Sequence, residues 1–291
     1  MEKRDLIFKK MRQKEWEWMV IIALFLTGTG SGSFLLSLIP GFVLGMIVGV
    51  VLVMAGSLFL LLDLESPLAA WRLITRPQSS WLSRGVIGIS SFALLGVLYI
   101  FFLLQSSGWT SLGSPWSSGP AWLIVLGILA GLGSFFVTFY PGFLLGNMRS
   151  MSFWNTALLP VIFLTSSLIG GFGVLYLLPL NWGGLPWLPF FKSLGAGLVA
   201  FELILLFGLI WLSSSGAARD SVYLLTRGSL RFQFFIGLLG LGIFVPLALL
   251  GLVSLGVHVD YLLLIEGVLH LTGVFFLRYI IVMAAVQVSP R

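Results

Sequence analysis

The residues best placed to do chemistry are ionisable side chains set in otherwise apolar stretches. Glu202 stands in the middle of one such stretch, and Glu266 and His270 stand four residues apart in another. Four-residue spacing on a helix puts both side chains on one face, within reach of each other. Arg278 follows two turns later on nearly the same face, so Glu266, His270 and Arg278 form a polar stripe. Charge buried in hydrocarbon is costly, and such a stripe faces a helix bundle rather than lipid. Carboxyl and imidazole groups there can exchange protons near neutrality when burial and neighbours tune them. The pattern suits a proton path through Glu202, Glu266, His270 and Arg278, or alternatively a structural ion pair.

A second group of polar residues lies at the ends of apolar stretches. It comprises Glu15, Glu17, Asp63, Glu65, Arg72, Arg76, Trp81 and Arg84, together with Tyr140, Asn147, Arg149 and Trp154. Acid closing one stretch and Arg opening the next would pin the intervening loop by ion pairs. A charged surface that also presents Trp is equally what a docked protein partner needs.

Composition excludes several other chemistries. The 291 residues include no Cys and two His. Cys-ligated iron–sulfur clusters, disulfides and Cys/His zinc sites are therefore ruled out within this chain. His258 and His270 are 12 positions apart, about 18 Å along one helix, too far to ligate one haem iron. Metal ligation, haem and iron–sulfur chemistry are not expected of this chain. The Gly28-Thr29-Gly30-Ser31-Gly32 run lacks the spacing and the preceding strand of a dinucleotide fingerprint. Small residues in an apolar helix instead allow neighbouring backbones to approach closely.

The elements that must position these groups are membrane helices. Hydrophobic residues make up 58% of the chain and charged ones 9%, with a mean hydropathy of +1.08. Soluble domains carry about a quarter charged residues. Punctuation by Pro, Gly and charge marks eight spans at 18–39, 42–62, 85–104, 121–146, 155–178, 194–213, 232–256 and 259–284. Each is long enough to cross about 30 Å of hydrocarbon. The expected fold is all-α, a polytopic membrane protein with eight transmembrane helices arranged as two packed four-helix bundles. Its parts are a basic N-terminal segment (1–17), the membrane domain (18–284) and a short tail (285–291).

Eight spans put both termini on one side. Of the 16 Lys and Arg residues, only Lys192 falls in the opposite loops and only Arg278 inside a span. The positive-inside rule then makes the termini and the 62–84, 146–155 and 214–231 loops cytoplasmic. This orientation accounts for the net charge of +6 without nucleic acid as a partner. Leu6, Ile7 and Phe8 among basic residues fit a short interfacial helix at the lipid surface. No cleavable signal pattern follows. The opposite side carries Trp109, Trp116, Trp122, Trp182 and Trp187, the ordinary interface anchors at that depth.

Several segments, in order and spacing, resemble one known family. They are Asp63-Leu-Glu-Ser-Pro, Trp71-Arg-Leu, Pro77-Gln-Ser-Ser-Trp-Leu-Ser-Arg-Gly, Tyr140-Pro-Gly-Phe-Leu-Leu-Gly, Phe153-Trp-Asn-Thr-Ala-Leu-Leu-Pro and Leu277-Arg-Tyr. Together they are similar to the NrfD/PsrC family, integral membrane subunits of polysulfide reductase-like respiratory complexes. The resemblance implies an exchangeable quinone, menaquinone or ubiquinone, bound near one membrane face. It also implies a docked ferredoxin-like iron–sulfur subunit, with a molybdopterin or other catalytic subunit beyond it, in a prokaryotic cytoplasmic membrane. Tyr140 resembles the family's quinone-contacting tyrosine. Val20 and Ala23 stand where polar quinone contacts are expected, which leaves Glu15, Glu17 or Asp63 as substitutes.

The expected function is therefore electron exchange between the iron–sulfur partner and the quinone pool, with proton translocation as an accompanying activity to be tested. The quinone set is Tyr140, Glu17, Asp63, Trp81 and Asn147. The partner-docking set is Arg72, Arg76, Arg84, Arg149 and Trp154. Where many relatives dock their partner on the extracytoplasmic face, the charge distribution here favours the cytoplasmic one. The competing class is a proton-coupled secondary transporter that uses Glu202, Glu266 and His270 near the midplane.

Overall fold

A computed structural model describes residues 18–63, 81–107, 120–148, 150–178, 186–213, 216–254 and 259–286. The helices are α1 (Trp18–Leu38), α2 (Val43–Leu62), α3 (Trp81–Ser107), α4 (Ala121–Gly146), α5 (Leu158–Leu177) and α6 (Leu188–Leu212). A short α7 (Gly216–Thr226) leads into a seventh span made of a π-helix, Gln233–Phe244, continued by α8 (Val245–Ser254). The last span is α9 (Val259–Met283). Among the described residues, eight helical segments are long and apolar enough to cross a membrane.

The outside of the molecule is apolar. Ile204, Phe207 and Trp211 on α6, for example, are exposed, as a lipid-facing surface requires. Packing among the spans therefore depends on close contact rather than on expulsion of water. Glycine supplies that closeness at two crossings. A Cβ on Gly30 would lie 2.5 Å from the Gly49 carbonyl oxygen of α2, and one on Gly171 would strike the Gly32 backbone. The Gly-rich run of α1 thus seats this helix between α2 and α5.

One core lies among α1–α4, around Phe34, Phe92, Tyr99 and Tyr140. A second gathers α5, α6, the seventh span and α9, and Val20, Ile21 and Leu24 of α1 reach into it. The first helix serves both groups of four, which share it rather than standing apart.

Three features differ from the pattern of apolar runs. The described part of the third span reaches back to Trp81, four residues before the predicted start, and the Arg84 guanidinium lies over the Trp81 ring at 4.8 Å. The sixth begins at Leu188 rather than 194, since Pro189 favours a helix start and Lys192 tolerates the interface. In the seventh span, Pro246 would clash with the carbonyl four residues earlier in an α-helix. The π-helix before it widens the turn, and Gly242 meets the Gly273 backbone there.

Candidate functional site

A cavity of about 300 Å³ opens between the terminal-side halves of α1–α4. Its wall is mostly apolar, with Val20 and Leu24 of α1, Leu60 and Leu61 of α2, Val86 and Ile89 of α3, and Val137 and Leu144 of α4. Five polar side chains punctuate it: Thr27, Ser57, Asp63, Ser90 and Tyr140. Pockets of this size, apolar with a few placed polar groups, suit a small organic ligand.

Tyr140 is fixed from three sides. Its ring stacks on Phe136 at 5.6 Å and lies directly over Gly85 of α3, where any Cβ would strike it. Pro141 follows it and cannot donate to the Val137 carbonyl, so a local helix bond is missing beside the cavity. The Tyr140 side chain forms part of the cavity wall.

Of the predicted quinone set, the structure brings Tyr140 and Asp63 to this one space. Asp63 is exposed at the end of α2. Trp81 stands beside the cavity without lining it, stacked on Phe143 at 5.4 Å and 7°. Asn147 is an exposed residue closing α4. Glu17 lies outside the described residues, as do Arg72, Arg76 and Arg149. Arg84 is exposed.

Trp154 is a correction. It is 1% exposed, and its indole N–H donates to the Ile281 carbonyl at 2.8 Å. Trp154 therefore ties the α4–α5 connection to α9 from inside and offers no docking surface.

The buried ionisable residues occupy the other side of α1. Glu202, Glu266, His270 and Arg278 are each no more than 2% exposed. His270 Nε2 is 3.7 Å from Glu266 Oε1, beyond hydrogen-bonding distance. His270 also stacks on Tyr176 at 6.0 Å. Arg278 donates from Nη2 to the Phe163 carbonyl at 3.2 Å and to Ser167 Oγ at 3.0 Å, and its guanidinium lies 3.8 Å from the Phe163 ring centre.

The carboxyl oxygens of Glu202 and Glu266, both ring nitrogens of His270, and Nε and Nη1 of Arg278 have no hydrogen-bond partner among the described protein groups. Glu202 is within electrostatic reach of Arg278. It also borders a void of about 10 Å³ lined by Ser166, Gly273, Val274 and Leu277, room for about one water. On α9 that void falls between His270 and Arg278.

Sequence reasoning missed Thr27, Ser57 and Ser90 of the cavity. Single hydroxyls are common in membrane helices, where Ser57 for instance donates back to the Val53 carbonyl at 2.7 Å. It also missed Ser167, which accepts from Arg278, donates to the Phe163 carbonyl at 2.6 Å and lies 3.3 Å from the Thr138 carbonyl of α4.

A family model described as Polysulphide reductase, NrfD matches residues 6–290. The sequence is similar to the C subunit of polysulfide reductase from Wolinella succinogenes, 28% identical over 251 residues, which span 79% of this chain and 77% of that protein. It is also similar to protein NrfD of Escherichia coli, 28% identical over 279 residues, covering 82% of this chain and 80% of the relative.

Proposed function

The chain belongs to the NrfD family, and from that premise we propose that it is the quinone-reactive membrane subunit of a respiratory oxidoreductase. The observation that carries this reading is the apolar cavity of about 300 Å³ with Tyr140 in its wall. A quinone ring needs a flat apolar slot and a hydrogen-bond donor for a carbonyl. The Leu, Val and Ile side chains supply the first, and Tyr140 and Ser90 are available as donors, whereas the Thr27 and Ser57 hydroxyls donate to the Ala23 and Val53 carbonyls. The residues fit the group.

A bound quinone supplies a carrier that takes up or releases two electrons and two protons. The protein's own residues bind and orient it. Tyr140 donates its phenol proton to one carbonyl, and the apolar walls exclude water. Asp63, exposed at the cytoplasmic end of α2, exchanges the protons with solvent, as general acid–base chemistry requires. Electrons come from outside the chain, because it has no Cys to hold a cluster and a relative is named as one component of a reductase. A ferredoxin-like iron–sulfur subunit docked on the cytoplasmic face, at Arg84 and the loops bearing Arg72, Arg76 and Arg149, supplies them, with a molybdopterin or other catalytic subunit beyond it. Glu266, His270 and Glu202, with Arg278 as the fixed charge among them, form a column that carries protons through the bundle in the same complex.

Tyr140→Phe tests the site. It removes one hydroxyl, worth roughly 0.5–1.5 kcal/mol to a neutral acceptor and about twice that to a charged one. We expect quinone turnover by the purified complex to fall about tenfold while the partner subunit stays bound. Unchanged turnover would place the quinone elsewhere.

A further inference from the structure

The polar column and the cavity lie on two sides of α1, and Arg278 packs against that helix at Gly28, next to the cavity-lining Thr27. We propose that Arg278 acts as a fixed positive charge behind the inner wall of the cavity, so that the site favours a ligand carrying negative charge over its neutral isostere. The proposal rests on reading the cavity as a quinone site and adds to it a positioning residue that never touches the ligand.

The geometry is close on two sides. A Cβ on Gly28 would lie 3.0 Å from Arg278 Nη2 and 2.8 Å from Ser167 Oγ. The neighbouring residue Thr27, and Leu24 one turn away, line the cavity. On the α4 side, Ser167 accepts from Arg278, donates to the Phe163 carbonyl of its own helix at 2.6 Å and lies 3.3 Å from the Thr138 carbonyl, and Thr138 adjoins the lining residue Val137. One helix thickness or less therefore separates the guanidinium from the ligand space.

The depths also agree. Arg278 is five residues from the end of α9 and Tyr140 six from the end of α4. At 1.5 Å per residue both lie about 8–9 Å inside the same membrane face.

The charge is also incompletely compensated. Arg278 is fully buried, hydrogen-bonds through Nη2, and leaves Nε and Nη1 without partners. Glu202 is the carboxyl within electrostatic reach, but its own oxygens have no hydrogen-bond partner and the two do not close a direct pair. In a low-dielectric interior the field of such a cation extends well past its contacts. Gly28 is what lets it stand this near, since any side chain there would push the guanidinium or Ser167 away.

When electrons reach a quinone ahead of protons, the added charge falls on its carbonyl oxygens. A cation behind the wall would stabilise that charge without blocking the ring. Arginine suits the task better than lysine, because it keeps its charge when buried.

The test is equilibrium binding to the full-length protein in lipid nanodiscs. The probes are 2-hydroxynaphthoquinone, an anion at neutral pH, and its neutral 2-methoxy counterpart. The wild-type protein should bind the anion about tenfold more tightly than the neutral compound. Arg278→Gln should abolish that preference while keeping the affinity for the neutral one, and Arg278→Lys should keep most of it. Equal binding of both probes by the wild-type protein overturns the proposal whatever becomes of the variants. An Arg278→Gln variant that retains the preference, or loses both probes equally, overturns it as well. If the wild-type protein binds neither probe, the cavity reading itself fails and the proposal falls with it.

Discussion

At the scale of single residues, the cavity separates what contacts a ligand from what shapes the space. Tyr140 contacts the space, and Gly85 beneath it makes room for its ring. Gly85→Ala should therefore imitate Tyr140→Phe without touching the hydroxyl, because the added methyl displaces the ring. Quinone affinity should fall about as far in both variants, and an unaffected Gly85→Ala would mean the ring position does not matter. Tyr140 was legible in the sequence through the Tyr-Pro-Gly segment, and Asp63 through the acid that closes α2. Thr27 was not, since a hydroxyl beside a glycine run looks like packing until α2–α4 surround it. Trp154 misled for a related reason. A Trp near a membrane face is usually an anchor, and only the fold shows its indole N–H bound to Ile281.

At the scale of elements, glycine in α1 determines how closely three spans approach. Gly32 packs against the Ser167 backbone of α5, where a Cβ has no room. Gly32→Ala should destabilise the protein by about 1–3 kcal/mol, the usual cost of overpacking, seen as a lower midpoint of thermal unfolding in detergent. An unchanged midpoint would show that α1 and α5 yield easily. The span boundaries were legible because hydrocarbon demands long apolar runs, and seven of the eight needed only small shifts at their ends. The π-helix was not legible. Its cause is Pro246 acting together with the Gly242–Gly273 contact, and a local pattern shows the proline but not the contact. Within the column, Glu202→Gln and Glu266→Gln keep shape while removing protonation. Proton uptake by proteoliposomes should fall in both, with quinone affinity unchanged. If uptake persists in both, the column is structural.

At the scale of the whole molecule, the charge asymmetry predicts orientation. A reporter fused after Arg291 should be active only in the cytoplasm, because basic residues crowd that face, and activity outside would reverse the docking side. The membrane class and the number of spans were legible from composition and run length alone. The site was legible only in part, because it lies where four spans converge and no single span carries its pattern. The central claim is that the cavity between α1 and α4 holds the quinone, and photolabelling of the purified complex with an azidoquinone tests it most directly. Peptide mapping should find the label on the cavity-lining stretches 20–27 and 137–144. Label confined to α6 and α9, around Glu202, Glu266 and His270, would contradict the account.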